Sequence, residues 1–370
     1  MPLRRKGKSP PFLSQEFFIQ NHGDIASCFC MVFLIGLMLQ ATRNAASLFI
    51  AVQHNVTQNA NDSTDASAAL NVLYNNGWKD LCGIFFQMLC WIVVQAVIQE
   101  YVLDKVNRKL HMSKTKTSKF NDSGNMLPIF IASIGVGIDL IMKENLIPKI
   151  QSLWTGYPHT EMSFMLKLFF MLQVAYWLHM FPELYFMKTR KEEIPQKVTH
   201  YSLYMVFISA AYVMNFTRIA LVLLVVHYIP EVVFHASRIL HCLGMFEIAQ
   251  YGFTVWSILF VPARLITITL SILTFWFGLG KADQSAFSIA SGNFNNPTFR
   301  LACLLAVILV QAWMAWNFIT FQVKRYRERS AVTQKKSRQD QKKKGKKEKK
   351  SKDDGDAVQN GSPKPRLKED

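Results

Sequence analysis

Three side chains in one apolar stretch have the types and spacing that proton transfer or ligand capture would require. His227, Glu231 and His235 stand at i, i+4 and i+8. On an α-helix they share a face that drifts by about 40° per step. Arg238 continues that face, and His200 lies in the preceding apolar run. Imidazoles in a row with a carboxylate suit general acid–base work or a polar binding pocket. A structural reading stands beside the chemical one. Polar side chains inside an apolar bundle also hydrogen-bond between helices, at about 0.6–2 kcal/mol per contact. Pro230 frees a backbone carbonyl one turn earlier, which polar neighbours can satisfy. No metal or cofactor is expected, because no further ligand set of recognisable spacing accompanies the stripe. Asp139, Lys167, Arg218 and Arg264 are further polar residues in apolar surroundings. Lys167, Arg218 and Arg238 lie near the ends of apolar runs, where long side chains snorkel. Asp139 and Arg264 are candidates for a pair or a cavity lining.

The elements that must position these residues are set by composition. Of 370 residues half are apolar and 18% charged, with a net charge of +17. Soluble domains carry about 25% charged residues. Residues 324–370 hold 18 of the 42 basic and 8 of the 25 acidic residues, so the body is poorer still. A bilayer-crossing helix needs about 20 mostly apolar residues. Eight segments approach this, at 25–40, 81–103, 126–142, 162–181, 202–214, 219–234, 253–275 and 299–321. The fold class is therefore an all-α polytopic membrane protein with about eight transmembrane helices. The fifth and sixth spans are expected to form a tight hairpin across 215–218. The first run starts too late, and lacks the cleavage site, for a signal peptide. The six cysteines lie in or beside apolar runs without a C-x-x-C, which argues against a disulfide-stapled fold or a zinc ribbon.

Loop charge gives direction. With an even number of spans both termini share a side. On it fall the basic residues of the N-terminal arm, those between Lys105 and Lys119, those between Lys188 and Lys197, Arg238 and the tail. The positive-inside rule makes that side cytosolic. The sequons at Asn55 and Asn61 fall in the first loop of the opposite side and are the expected glycosylation sites. Those at Asn121 and Asn360 fall on the cytosolic side, and that at Asn215 in a tight turn, so these are expected to stay bare. Four regions follow. They are a cytosolic arm over 1–24, two spans with a glycosylated lumenal loop over 25–110, a six-helix membrane domain over 111–323, and a basic tail over 324–370. The tail cannot bury enough apolar area to fold and is expected to be disordered. It can serve as a solvated topology signal, an attraction to anionic headgroups or a contact to ribosomal RNA.

The stretch from His200 to Arg238 resembles the membrane domain shared by translocating chain-associated membrane proteins, ceramide synthases and related lipid-sensing proteins. In the synthases a His-His pair on one helix and a His-Asp motif on the next carry polar chemistry. Here Tyr201 stands at the second His and Tyr228 at the Asp, while His200, His227 and the acidic Glu231 match. A tyrosine titrates near 10 and replaces a base poorly, so synthase activity is not expected. The wider chain is similar to the translocating chain-associated membrane protein family. The similarity rests on LSQEF at 13–17, QNHGD at 20–24, IQEYVLDK at 98–105, SKTK at 113–116, SKFN at 118–121, AYWLH at 175–179, FPELYF at 181–186 and GNFN at 292–295. The resemblance implies a non-enzymatic protein of the endoplasmic-reticulum membrane, beside the protein-conducting channel. It would contact signal sequences and transmembrane segments of nascent chains. His200, His227, Glu231, His235 and Arg238 would line its binding stripe. Membrane lipids, and the ribosome through the tail, complete the expected partners. The alternative is lipid binding or ceramide-synthase-like acyl transfer in the same cavity.

Overall fold

The computed structural model describes residues 11, 14–56, 72–281 and 287–356, and of residues 328, 329 and 331–356 the backbone alone. The chain divides into two units, residues 1–307 and 308–370.

Helix α1 spans Gln15–Met38 and begins on a capping Ser14, whose Oγ accepts from the Phe17 N–H at 3.2 Å. It starts ten residues before the apolar run, so the predicted arm over 1–24 already contains its first turns. A serine cap followed by Glu16 in the first turn satisfies exposed amides and suits the helix dipole, which hydropathy alone does not register. Helix α2 spans Arg43–Ile50. Three two-residue strands then form an antiparallel sheet in the order β1 (Asn55–Val56), β2 (Leu73–Tyr74), β3 (Met162–Ser163), pairing Asn55 with Tyr74 and Leu73 with Ser163. Helix α3 spans Asp80–Ile98 and passes through a π-helical turn, Gln99–Leu103, into α4, Asp104–Leu110. Across that wide turn the Gln99 amide donates to Asp104 Oδ1 at 2.6 Å.

Next come α5 (Lys114–Lys143), α6 (Phe164–Phe186), α7 (Ile194–Val213), α8 (Thr217–Cys242) and α9 (Phe246–Ile272). A second π-helical turn, Leu273–Gly278, leads to the short α10 (Leu279–Lys281), and α11 covers Pro297–Asp356. The lysine-rich stretch ahead of Phe120, expected as loop, is the first part of α5.

Among the described residues seven helices are long and apolar enough to cross a membrane, starting at Gln15, Asp80, Lys114, Phe164, Thr217, Phe246 and Pro297. The expected fifth span is α7. It has 20 residues, yet Gln196, Lys197 and His200 dilute its apolar content. Its turn into α8 is tight, with Asn215 at φ 58°.

The main core joins α5, α6, α7 and α8 through Phe130, Phe170, Trp177, Ile208, Leu221 and Tyr228. A smaller cluster, Ala26, Leu89 and Ile92, holds α1 to α3. Large apolar side chains such as Val32, Ile258 and Leu265 face outward, as helices in a hydrocarbon solvent permit. Asn55 is exposed, whereas Asn121 and Asn215 are buried, which closes the latter two to a glycosyl donor. Asn61 and Asn360 lie outside the described residues.

In the second unit the backbone is helical to Asp356, where composition leads one to expect disorder. Lysine, glutamate, glutamine and arginine are good helix formers. A segment unable to build a packed core is not thereby barred from a helix.

Candidate binding site in the membrane

Helix α8 carries the stripe, and the drift of its face decides which neighbour each side chain meets. His227 looks towards α7 and α9. Its Nε2 is hydrogen-bonded to the Tyr204 hydroxyl, and Arg264 Nη2 donates to its Nδ1 at 2.7 Å. A guanidinium only donates, so Nδ1 supplies the lone pair. The ring proton then sits on Nε2 and goes to the Tyr204 oxygen. Both nitrogens are committed, and His227 has no free lone pair with which to abstract a proton. One turn on, Glu231 lies within electrostatic reach of Arg264 and 3.9 Å from His235 Nε2. His235 has turned far enough to meet α5. It is buried, shares a hydrogen bond of 3.1 Å between Nδ1 and Ser123 Oγ, and packs on Phe130. Arg238 ends the row 3.8 Å from Asp122, which also accepts from Lys197 Nζ at 2.8 Å.

His200 enters from α7, edge-on to Trp177 at 5.9 Å and to Tyr204 at 5.0 Å between ring centroids. His227, Glu231, His235 and Arg238 lie along one polar seam of α8, and His200 meets it through the Tyr204 ring that also packs on His227. The seam runs from the α7–α9 side at His227 to the α5 side at Arg238. Its key partners, Tyr204, Ser123 and Asp122, carry no local sequence signal. Arg264 was singled out, but only the packing of α9 on α8 pairs it with His227.

Tyr201 and Tyr228, the two departures from the synthase pattern, are packing residues. Tyr201 is buried against Trp177 and Phe181. Tyr228 is buried beside Phe130, and its hydroxyl donates to Gln173 Oε1 at 2.9 Å. Trp177 stacks on Tyr204 at 3.9 Å with planes 5° apart. Aromatic rings fill the space that a second imidazole and a carboxylate would need. Among the described residues no group of three His, Cys, Asp or Glu is placed to hold a metal ion.

Two expectations for the outlying polar residues need correction. Lys167 does not snorkel. Its ammonium is fully buried, 2.7 Å from Asp80, and donates to the carbonyls of Gln53 and Asn75 at 2.9 and 2.6 Å. Asp80 also accepts from the Tyr212 hydroxyl at 2.7 Å and the Gly77 amide at 2.9 Å. Gln53 ahead of β1, Asn75 after β2 and Asp80 at the start of α3 together supply the acceptors that water would otherwise give. Asp139 pairs with Lys143, one turn along α5, at 2.7 Å on an exposed face, far from the role imagined with Arg264. A further centre joins α1, α3 and α6. His179 is buried and hydrogen-bonded to Gln95 at 2.8 Å, and buried Glu183 lies 4.0 Å from His22.

Residues 119–320 match the family model described as the TLC domain. Over 328 residues the chain is 42% identical to the translocating chain-associated membrane protein 2 of Mus musculus, which covers 89% of this chain and 86% of that one. The protein of the same name from Homo sapiens is 41% identical with the same coverage. A ceramide synthase of Gibberella moniliformis is 22% identical over 205 residues, 55% of this chain and 47% of that one.

Proposed function

This chain belongs to the translocating chain-associated membrane protein family, and from that premise we propose that it is a multi-pass accessory component of protein translocation at the endoplasmic reticulum, without enzymatic activity. It contacts signal sequences and transmembrane segments of nascent chains beside the protein-conducting channel and aids their entry or integration. The observation that carries this reading is the likeness to the translocating chain-associated relatives over 89% of the chain. The local geometry supports it from the negative side, since Tyr201 and Tyr228 are core residues and His227 has both nitrogens engaged.

The physical service is shelter. A charge at mid-bilayer costs at least about 2.5–3.5 kcal/mol on insertion scales. A bundle holding Glu231, His235, Arg238 and Arg264 on one seam offers a nascent segment polar partners during its transfer into lipid. In this reading α7 is the eighth crossing, both termini are cytosolic, and Asn55 and Asn61 are glycosylated in the lumen. The basic stretch from Lys324 approaches anionic headgroups or the ribosome. The test is photocrosslinking from a stalled nascent chain in native membranes. Adducts are expected on α7, α8 or α9, and their absence from every helix of the bundle would overturn the proposal.

A second reading, lipid binding or ceramide-synthase-like acyl transfer at the same seam, is favoured by the TLC domain match and the likeness to a ceramide synthase. Purified protein given acyl-coenzyme A and a long-chain base is expected to show no turnover. Turnover abolished by His200→Ala would replace the first reading with the second.

A further inference from the structure

Helices α1 and α3 run antiparallel, and three contacts give the order of their seam. A Cβ on Gly23 would come within 2.6 Å of Ala96 Cβ, Cys30 Sγ lies 3.9 Å from Cys90 Sγ, and the Phe33 and Phe86 rings meet at 5.7 Å. The two thiols thus face each other with a glycine-permitted close approach on one side and an aromatic contact on the other. Ala26, Leu89 and Ile92, with Met88 and Val93, make the surroundings apolar. All six cysteines are free thiols, and 3.9 Å between Cys30 and Cys90 is the one sulfur–sulfur contact among the described residues. A disulfide needs its sulfurs about 2.05 Å apart. Less than about 2 Å of travel separates the two sulfurs from bonding distance.

We propose that Cys30 and Cys90 are a modification site, a thiol pair that closes to an intramolecular disulfide when it meets an organic hydroperoxide dissolved in the bilayer, so tying α1 to α3. The oxidant class follows from the surroundings, because an apolar seam admits a hydroperoxide on a hydrocarbon chain more readily than a hydrated one. One sulfur attacks the terminal peroxide oxygen. The O–O bond breaks, the thiol proton passes to the departing oxygen, and a sulfenic acid and an alcohol result. The second sulfur then attacks the sulfenic sulfur, the S–O bond breaks, and the hydroxyl leaves with the second thiol proton as water. In sum two thiols lose two electrons and two protons, and the hydroperoxide becomes an alcohol and water.

The test treats membranes containing the full chain with cumene hydroperoxide. The protein is then denatured, its free thiols are blocked with a maleimide, and they are counted by intact mass. The expected result is the loss of two of the six thiols, with a Cys30–Cys90 bridge in the peptide map. Reduction with dithiothreitol should restore all six. Cys30→Ser and Cys90→Ser should each abolish the bridge, while Cys28→Ser and Cys82→Ser, elsewhere on the same two helices, should leave it. Six surviving thiols, a bridge between other cysteines, or oxidation confined to the exposed Cys28 would each overturn the proposal.

Discussion

The Lys167 centre and the α8 stripe bury charge by different means. At the seam of α3 and α6 the Lys167 ammonium is fully buried, with a carboxylate and two carbonyls around it. On α8 the polar groups form a line, with His227 and His235 each held by two partners, and Glu231 keeps part of its side chain open at 16% exposure. The first arrangement is closed, since every proton on the amine has an acceptor. The second is extended, and a guest polar group can compete for one member without dismantling the rest. One charge is sealed within a cage of acceptors, while the others are strung along a helix face.

Substitutions can break or sharpen this contrast. The largest effect is expected at the closed centre. Lys167→Met leaves Asp80 as an unpaired buried carboxylate and should cost about 3–5 kcal/mol, read as a lowered thermal midpoint in detergent. Along the open line, Arg264→Leu removes a charged donor from His227 and should cost about 1.5–3 kcal/mol, while leaving the Lys167 centre intact. A loss there as large as that of Lys167→Met would mean the line is as closed as the pair.

A third test uses pH on a residue outside the spans. Burial, with the Arg218 guanidinium nearby, holds the His159 imidazole down at about 4, and its Nε2 is hydrogen-bonded to the Thr155 carbonyl at 3.0 Å. The unfolded chain takes up that proton near pH 6.5, the folded chain only near 4. Stability contributed by neutral His159 is therefore complete above about pH 6.5 and is lost as pH falls towards 4. His159→Gln should flatten that slope in a series of thermal midpoints. The smallest effect belongs to the exposed Asp139–Lys143 pair. Asp139→Asn should shift stability by no more than about 0.5 kcal/mol, and a larger shift would show the α5 surface to hold a further buried centre.

What the sequence made legible follows from which signals are local. Apolar runs announced eight of the helices, and the i, i+4, i+8 spacing announced the stripe. Helix α7 was recognised as short because its first turns are polar, although its later face buries Ile208 and Tyr212. The partners of the stripe were not legible, since Tyr204, Ser123 and Asp122 meet α8 only through packing between helices. Lys167 was misread for the same reason. Its position near a span end suggests an escape to water, and only the fold that brings Gln53, Asn75 and Asp80 onto the amine closes that route. The helical backbone of 331–356 was missed because poverty of apolar residues was taken as poverty of structure.

The π-helical turn at Gln99–Leu103 has a consequence for comparing this chain with its relatives. Such a turn holds one residue more than the α-helix it interrupts. At its end Leu103 is buried, with a side chain that a Cβ on Gly124 would strike, and beyond it the Asn107 amide donates to Asn121 at 2.7 Å. Forcing 99–103 into a regular α-helix with every residue kept would rotate everything beyond it by about 100°, turning Asn107 away from α5, whereas deleting one residue there restores the regular helix and keeps that face. A relative without the turn would show a one-residue gap at this point of an alignment, and residues on its two sides should then be equated by the face they present, not by their count from the helix start.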